Sequence, residues 1–286
     1  MSSQLTFSSF AVAGGAGSLG AFITSELLAQ GAKVTVLSSK SADVPAGATL
    51  AIVDYANKDS LVAAIKGAEV VISAVSGPGM AHQPLLVQAA KEAGVKHFVP
   101  SEFGMRTTDL PLELQTGAIG EKIKVQKLLR EAGLTYTLYY VGLFSDWFFI
   151  PLFGFDFANK KISIVGPGNT PISWTSRKDI GYFVAYTLTH LPKSRLENQP
   201  LDVEDEKLTF NQIVDILQEV RGEKFEVTHT SVEEAENAVK EKGHDALVEF
   251  INLQAHRGYL DGGKTDNHLI PGFKPQSVRE AVASTL

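Results

Sequence analysis

The chain has 286 residues, 44% of them hydrophobic, with a formal net charge of −6 and no cysteine. That length supplies one large domain or two smaller ones with an ample core, and so apolar a composition excludes a disordered chain. The negative balance, without a run of basic residues, argues against a nucleic acid partner, and the missing cysteines rule out disulfides, thiolate metal sites and a cysteine nucleophile.

The start, Met1-Ser2-Ser3-Gln4, lacks the charged and apolar regions of a signal peptide. The most apolar stretch, 141–157, is interrupted by Asp146, Pro151 and Asp156, short of the ~20 clean residues of a membrane span. A cytoplasmic protein with no membrane partner is the expectation, with its oligomeric state left open.

The first element is a short apolar strand, 10–13. It runs into Gly14-Gly15-Ala16-Gly17-Ser18-Leu19-Gly20 and then an amphipathic helix from Ala21, with Leu19, Phe22, Ile23 and Leu27 on one stripe and a stop at Gly31. Strand, glycine turn and helix form the first unit of a dinucleotide-binding fold. In that reading Gly15 permits the tight turn, Gly17 lets the pyrophosphate approach the backbone, and Gly20 lets helix and strand pack closely. The amides of the turn and helix start, at Gly14, Gly15, Gly17, Ser18 and Leu19, face the phosphates.

The second strand, 33–37, ends in Ser38-Ser39-Lys40-Ser41, with no carboxylate before Asp43. A carboxylate there would select NAD, whereas small hydroxyls and a cation accommodate a 2′-phosphate, so NADPH/NADP+ is the expected cofactor. The plainer reading of Lys40 is an ordinary solvated loop lysine.

Strands and helices continue to alternate: a strand over 49–53, a helix over 60–65, a fully apolar strand over 69–75, a helix begun near Pro84 and stopped by Gly94, a strand over 96–99, a helix over 117–132 stopped by Gly133, and a strand over 136–141. The pattern predicts an α/β fold with a doubly wound parallel sheet. Ligands in such sheets lie outside the carboxyl ends of the strands. The candidate cofactor residues are therefore Asp54 after the third strand, Ala74, Val75 and Ser76 after the fourth, and Ser101 and Phe103 after the fifth, while Gly142 and Phe144 follow the sixth.

On the helix 117–132, Ile119, Ile123, Val125, Leu128 and Leu129 share one face, and Lys122 falls in its middle. A lysine there either snorkels at the helix end or points into a site where desolvation lowers its pKa toward acid/base use. Beyond about residue 150 the alternation weakens. A return helix is expected over 180–188, and further helices near Thr209, Ser231 and Gln276. The division expected is a dinucleotide-binding domain over 1–153, rejoined by about 175–205, and a smaller α/β substrate-binding region over 154–286.

The aromatic cluster Phe144, Trp147, Phe148, Phe149, Phe153, Phe155 and Phe157 reads mostly as core, with Phe103, Gly142, Phe144, Trp147 and Phe148 as candidate pocket residues. Two apparent motifs fail on context. Gly258-Tyr259-Leu260-Asp261-Gly262-Gly263-Lys264-Thr265 matches a nucleoside-triphosphate loop, but 246–255 before it reads as helix and no suitable helix follows. The seven histidines are scattered, so no metal site is expected.

The glycine turn, then Ala89-Ala90-Lys91-Glu92-Ala93-Gly94-Val95-Lys96-His97-Phe98-Val99-Pro100-Ser101-Glu102-Phe103-Gly104, then Lys122 followed by Leu128-Leu129-Arg130-Glu131-Ala132-Gly133, resemble the isoflavone reductase-like, NmrA-like branch of the atypical short-chain dehydrogenases. The likeness runs from about residue 8 to 215. It implies a Rossmann fold and an NADPH-dependent reductase of small, often aromatic, molecules. It also implies one lysine, here Lys122, as general acid/base. The chain departs from the family where Ser39 and Lys40 stand in place of an arginine. No tyrosine precedes a lysine by four residues, so the ordinary short-chain dehydrogenase pair is absent and Ala118 stands where its tyrosine would. The competing class is a dinucleotide-sensing regulator that binds NADP(H) without catalysis.

Overall fold

The first strand, β1 (Ser9–Ala13), sends successive side chains into two different cores: Phe10 and Val12 into one, Ala11 and Ala13 into the other. A strand buried on both faces needs covering layers on both sides, and the chain supplies them. The computed structural model describes residues 5–242 and 246–285. Met1-Ser2-Ser3-Gln4, and His244 of the scattered histidines, lie outside the described residues.

Elements in chain order are α1 (Gly20–Ala29), β2 (Lys33–Ser38), β3 (Thr49–Ile52), α2 (Lys58–Ile65), β4 (Val70–Ser73), α3 (Gln83–Glu92), β5 (His97–Val99), α4 (Gly117–Ala132) and β6 (Thr135–Tyr140). There follow β7 (Leu143–Phe144), β8 (Phe155–Asp156), β9 (Lys161–Val165), β10 (Ile172–Thr175), α5 (Arg177–His190), β11 (Gln199–Asp202) and β12 (Glu206–Leu208). The chain closes with α6 (Phe210–Arg221), β13 (Glu226–Thr230), α7 (Val232–Lys242), α8 (Leu247–His256) and α9 (Val278–Ala283).

The main sheet has the order β11-β6-β5-β4-β1-β2-β3, every pair parallel. This is the doubly wound order of a Rossmann fold with one strand added at the β6 edge. The order reverses between β1 and β4, so the binding crevice lies beyond Ala13 and Ser73. Helices α1 and α5 cover one face through Ile23, Leu27, Ile180, Phe183 and Val184. Helices α2, α3 and α4 cover the other through Leu61, Leu86, Val125 and Leu129.

Local chemistry sets the helix ends. Asn57 accepts the amides of Asp59 and Ser60, which starts α2 two residues ahead of the expected Ser60. Gly133 closes α4 in the left-handed region, φ 64°. Thr209 and Gln212 form a capping box at α6, and Ser277 and Glu280 do so at α9.

After β6 the chain leaves the main sheet at Gly142. It builds two three-stranded sheets, β12-β10-β7 and β13-β9-β8, around a core of Phe148, Phe155, Trp174, Phe210, Ile213 and Leu217. It returns to the main body twice, as α5 against α1 and as β11 beside β6. Strand β11 is a sheet strand that the periodicity did not single out. No described helix is long and apolar enough to cross a membrane.

Candidate active site

The glycine turn between β1 and α1 is built differently from the expected division of labour. Gly14, not Gly15, takes the left-handed conformation, φ 76°, and a Cβ there would stand 2.8 Å from the Ala74 carbonyl oxygen. Gly15 is a packing position. A Cβ on it would meet Thr24 Oγ1 and Val36 Cγ2 at 2.9 Å, and Thr24 Oγ1 donates to its carbonyl at 3.1 Å. Gly20 has the expected role, since a Cβ there would overlap the Gly14 carbonyl oxygen.

Gly17 and Ser18 are exposed at the mouth of this turn. A Cβ on Gly17 would touch only the Gly14 carbonyl, at 3.0 Å, and otherwise project into open space. Leu19, at the start of α1, has no side-chain cap among the described residues. An open cradle beside an uncapped helix start fits the pyrophosphate of a dinucleotide.

At the end of β2, Ser38 is half-buried and its Oγ accepts the Lys40 amide at 3.3 Å, while Ser39 and Lys40 are exposed. Asp54, after β3, is exposed and organises its own turn by accepting the Ala56 amide at 2.9 Å. Beside it Tyr55 stacks on His82 with ring centroids 5.3 Å apart, so the loop histidine forms a flat wall.

Strand β4 stops at Ser73, and Ala74, Val75 and Ser76 continue as loop, earlier than the expected strand end at 75. Ser101 fastens this loop to the next: its Oγ donates to the Val75 carbonyl at 2.6 Å, and its amide donates to Gln83 Oε1 at 2.9 Å. Phe103 follows in the left-handed region, φ 31°, with its ring parallel to Tyr139 at 6.3 Å. A positive φ in a side-chain-bearing residue is strained, and it occurs here between the strand ends and the lysine.

Lys122 is half-buried on α4, and its Nζ donates to the main-chain oxygen of Glu102. Burial pulls its pKa below the ordinary lysine value, and Glu102 opposes that pull. A Cβ on Gly104 would stand 3.7 Å from Nζ, so glycine at this position leaves the approach to the ammonium open. The fully buried face of α4 consists of Ile119, Val125, Gln126 and Leu129. Gln126 and Glu102 belong to the site and were missed in the sequence, although Gln126 lies one turn beyond Lys122 and its spacing carries that signal.

The aromatic candidates divide. Phe148 is 3% exposed and stacks on Phe153 at 4.4 Å, which places it in the second core. Trp147 is 41% exposed and meets Phe144 and Phe153 edge-on. Phe144 is half-buried on the core that also holds Phe103. Gly142, φ 64°, passes so close to Ser173 that a Cβ would overlap its carbonyl oxygen.

Beyond Gly104 and Gly142 lies a narrow crevice lined by Arg106, Tyr140, Ser173, Asp202 and Tyr259. The glycine-rich loop 258–265 forms part of its wall, with α8 before it and a turn of 3-10 helix over Asn267–Leu269 after it. It therefore lacks the strand-to-helix setting of a triphosphate loop.

Comparison with known proteins gives the family and the fold. The model of the NmrA-like family matches residues 7–280. An isoflavone reductase homologue of Nicotiana glauca is 33% identical over 203 residues, 68% of this chain, and the match spans 64% of that protein's length. Pinoresinol reductase 2 of Arabidopsis thaliana is 30% identical over 284 residues, covering 90% of this chain and 88% of its own. The structure of AtPrR2 with NADP+ and (+)pinoresinol superposes with a TM-score of 0.80 at 26% identity, covering 98% of this chain and 99% of that one.

Proposed function

Because this chain belongs to the NmrA-like family, we propose that it is an NADPH-dependent reductase of small aromatic or conjugated molecules, with Lys122 as its general acid/base. The observation that carries the proposal is the Lys122 ammonium, desolvated, aimed at the Glu102 carbonyl and left accessible past Gly104 at the carboxyl ends of the strands. A protein that only senses a dinucleotide has no need of a desolvated proton donor there.

The residues fit the cofactor. Gly14, Gly17, Ser18 and Leu19 form the pyrophosphate cradle, with Gly15 packed beneath it and its amide spent on the Val12 carbonyl; Ser38, Ser39 and Lys40 receive the 2′-phosphate; Asp54 borders the adenosine; and Ala74, Val75, Ser76, Ser101 and Phe103 line the path from β4 to β5. NADPH, when bound, supplies the hydride. Lys122 supplies the compensating proton from Nζ, and its depressed pKa brings that proton nearer the working range of a general acid. Phe103, Gly142, Phe144 and Trp147 border the substrate. Phe148 supports that wall from the core. The NADP+ and (+)pinoresinol held by AtPrR2 support both choices of ligand class.

The test is titration with NADPH and with NADH, then NADPH absorbance decay against aromatic enones, quinones and phenylpropanoid-like compounds. Lys122→Ala is expected to bind NADPH as the parent does while turnover falls by roughly 10²–10⁴-fold, the loss typical of a general acid. Unchanged turnover removes the role, and tight NADPH binding without any decay turns the reading to a dinucleotide sensor.

A further inference from the structure

A carboxylic acid sits inside the site without a role in the chemistry above. Glu102 is 1% exposed. Its Oε2 accepts from Thr107 Oγ1 at 3.0 Å and its Oε1 accepts from Gln126 Nε2 at 2.8 Å. Gln126 Nε2 also reaches Thr107 Oγ1 at 2.9 Å, which closes the cage. Burying an ionisable group without a paired charge is costly, and the hydrogen bonds to both carboxyl oxygens offset part of that cost. The cation that faces it is Lys122, whose Nζ meets the main-chain oxygen of the same residue.

Lys122 and Gln126 are one turn apart on α4, so a single helix face grips Glu102 at its carbonyl and at its carboxyl group. We propose that Glu102 is a positioning residue for Lys122, its carbonyl aiming the ammonium and its caged carboxylate serving as the ammonium's counter-charge. The role rests on the reading of Lys122 as proton donor. Phe103 is thereby explained as well: its positive φ lies directly after Glu102, where the backbone turns its carbonyl toward α4.

The electrostatics are reciprocal. Burial lowers the Lys122 pKa and Glu102 opposes it; burial raises the Glu102 pKa, and Lys122, Gln126 and Thr107 oppose it. The other groups facing the pair are few. From β6, Tyr140 hydrogen-bonds Thr107 at 3.2 Å, and its phenol is pushed up to about 12 by burial and by Glu102. Arg106 lies over the Tyr140 ring, 5.1 Å from its centre. On α4 itself, Glu121 and Lys124 are exposed and paired with each other at 3.0 Å.

The test is Glu102→Gln, which keeps the size and an acceptor for Gln126 while deleting the charge. The readout is the pH dependence of trace acetylation of Lys122, followed by mass spectrometry on the folded protein without substrate, beside the pH profile of kcat. The labelling midpoint is expected to fall by about one unit or more, the shift typical of losing one close opposite charge, and the alkaline limb of kcat to fall with it. Glu102→Asp, which retains the charge, should restore much of the midpoint. If Glu102→Gln does not fold, Thr107→Val, which strips one donor from the carboxylate, should shift the midpoint in the same direction by less. An unmoved midpoint in these folded variants overturns the proposal, even if kcat falls. A midpoint that moves without the kcat limb upholds the counter-charge and overturns Lys122 as proton donor, so the two readings fail separately.

Discussion

Arg177 Nη1 donates to Ser18 Oγ at 2.7 Å, across 159 positions of sequence. The same guanidinium is clamped by Asp146, with Nε to Oδ2 at 3.0 Å and Nη2 to the main-chain oxygen at 3.2 Å, and it lies over the Phe22 ring. A cation is unfavourable beside a bare helix N-terminus unless something holds it there. Asp146 does so, and it leaves one guanidinium nitrogen directed at Ser18 beside the phosphate cradle.

Arg177→Ala is therefore expected to weaken NADPH binding by about tenfold, the worth of one charge-assisted contact. It should also loosen the segment of Phe144 and Trp147 that flanks Asp146. Arg177→Lys should recover part of the affinity, because the lysine keeps the charge and loses the fork. Isothermal titration decides, and equal affinity in the alanine variant would remove Arg177 from the cofactor site.

Cofactor choice gives a second expectation. Ser39 and Lys40 are exposed at the end of β2, with no carboxylate beside them. Lys40→Ala should weaken NADPH by about 3- to 10-fold and leave NADH within about twofold, since an exposed ammonium contributes on the order of 1 kcal/mol. Salt should erode the difference. Equal losses for the two cofactors would remove the 2′-phosphate contact.

The glycine turn separates binding from stability. At Gly20 an added Cβ overlaps the Gly14 carbonyl, so Gly20→Ala must push α1 off β1. A loss of about 1–3 kcal/mol, the usual range for overpacking, is expected by denaturant titration, together with weaker cofactor binding. Gly17→Ala has no positive φ to strain and meets only the Gly14 carbonyl oxygen, at 3.0 Å, which in this exposed turn must give by a few tenths of an ångström. It should leave stability within about 0.5 kcal/mol, as surface changes do, while NADPH affinity falls. A Gly17→Ala protein that binds NADPH normally would place the pyrophosphate elsewhere.

The same turn shows what the sequence could and could not disclose. A strand, four glycines in seven residues and an amphipathic helix are local signals, and their order sufficed for the fold. Which glycine turns and which one packs depends on contacts with Ala74, Thr24 and Val36, and the tight turn expected of Gly15 falls to Gly14 for that reason. Lys122 stood out because helical period is local. Its partner Glu102 lies 20 residues earlier, and Arg177 lies 159 residues from Ser18, distances over which periodicity carries no information. The stretch 144–157 was opaque in a similar way: Phe148 and Trp147 are neighbours of like chemistry, and packing on Phe153, Trp174 and Phe210 turns Phe148 inward.

A buried acid just ahead of α5 sets a pH dependence. Asp205 Oδ2 accepts the Ser176 amide at 2.7 Å ahead of α5, and its Oδ1 has no hydrogen-bond partner among the described residues. Burial first, and the nearby Asp179 charge second, push its carboxyl up to about 8 from an ordinary 3.8. The native state thus favours the protonated form more than the unfolded chain does. The stabilisation is fully present below about pH 4 and is lost progressively as pH rises through about 8. Asp205→Asn retains an acceptor for Ser176 and cannot ionise, so its advantage over the parent should grow from near zero at pH 4 to several kcal/mol at pH 8.5, about 1.4 kcal/mol for each unit by which the folded pKa exceeds 3.8. Paired urea titrations across that range check the sign. A difference that stays flat with pH would show that neither burial nor Asp179 raises the Asp205 pKa in the folded protein.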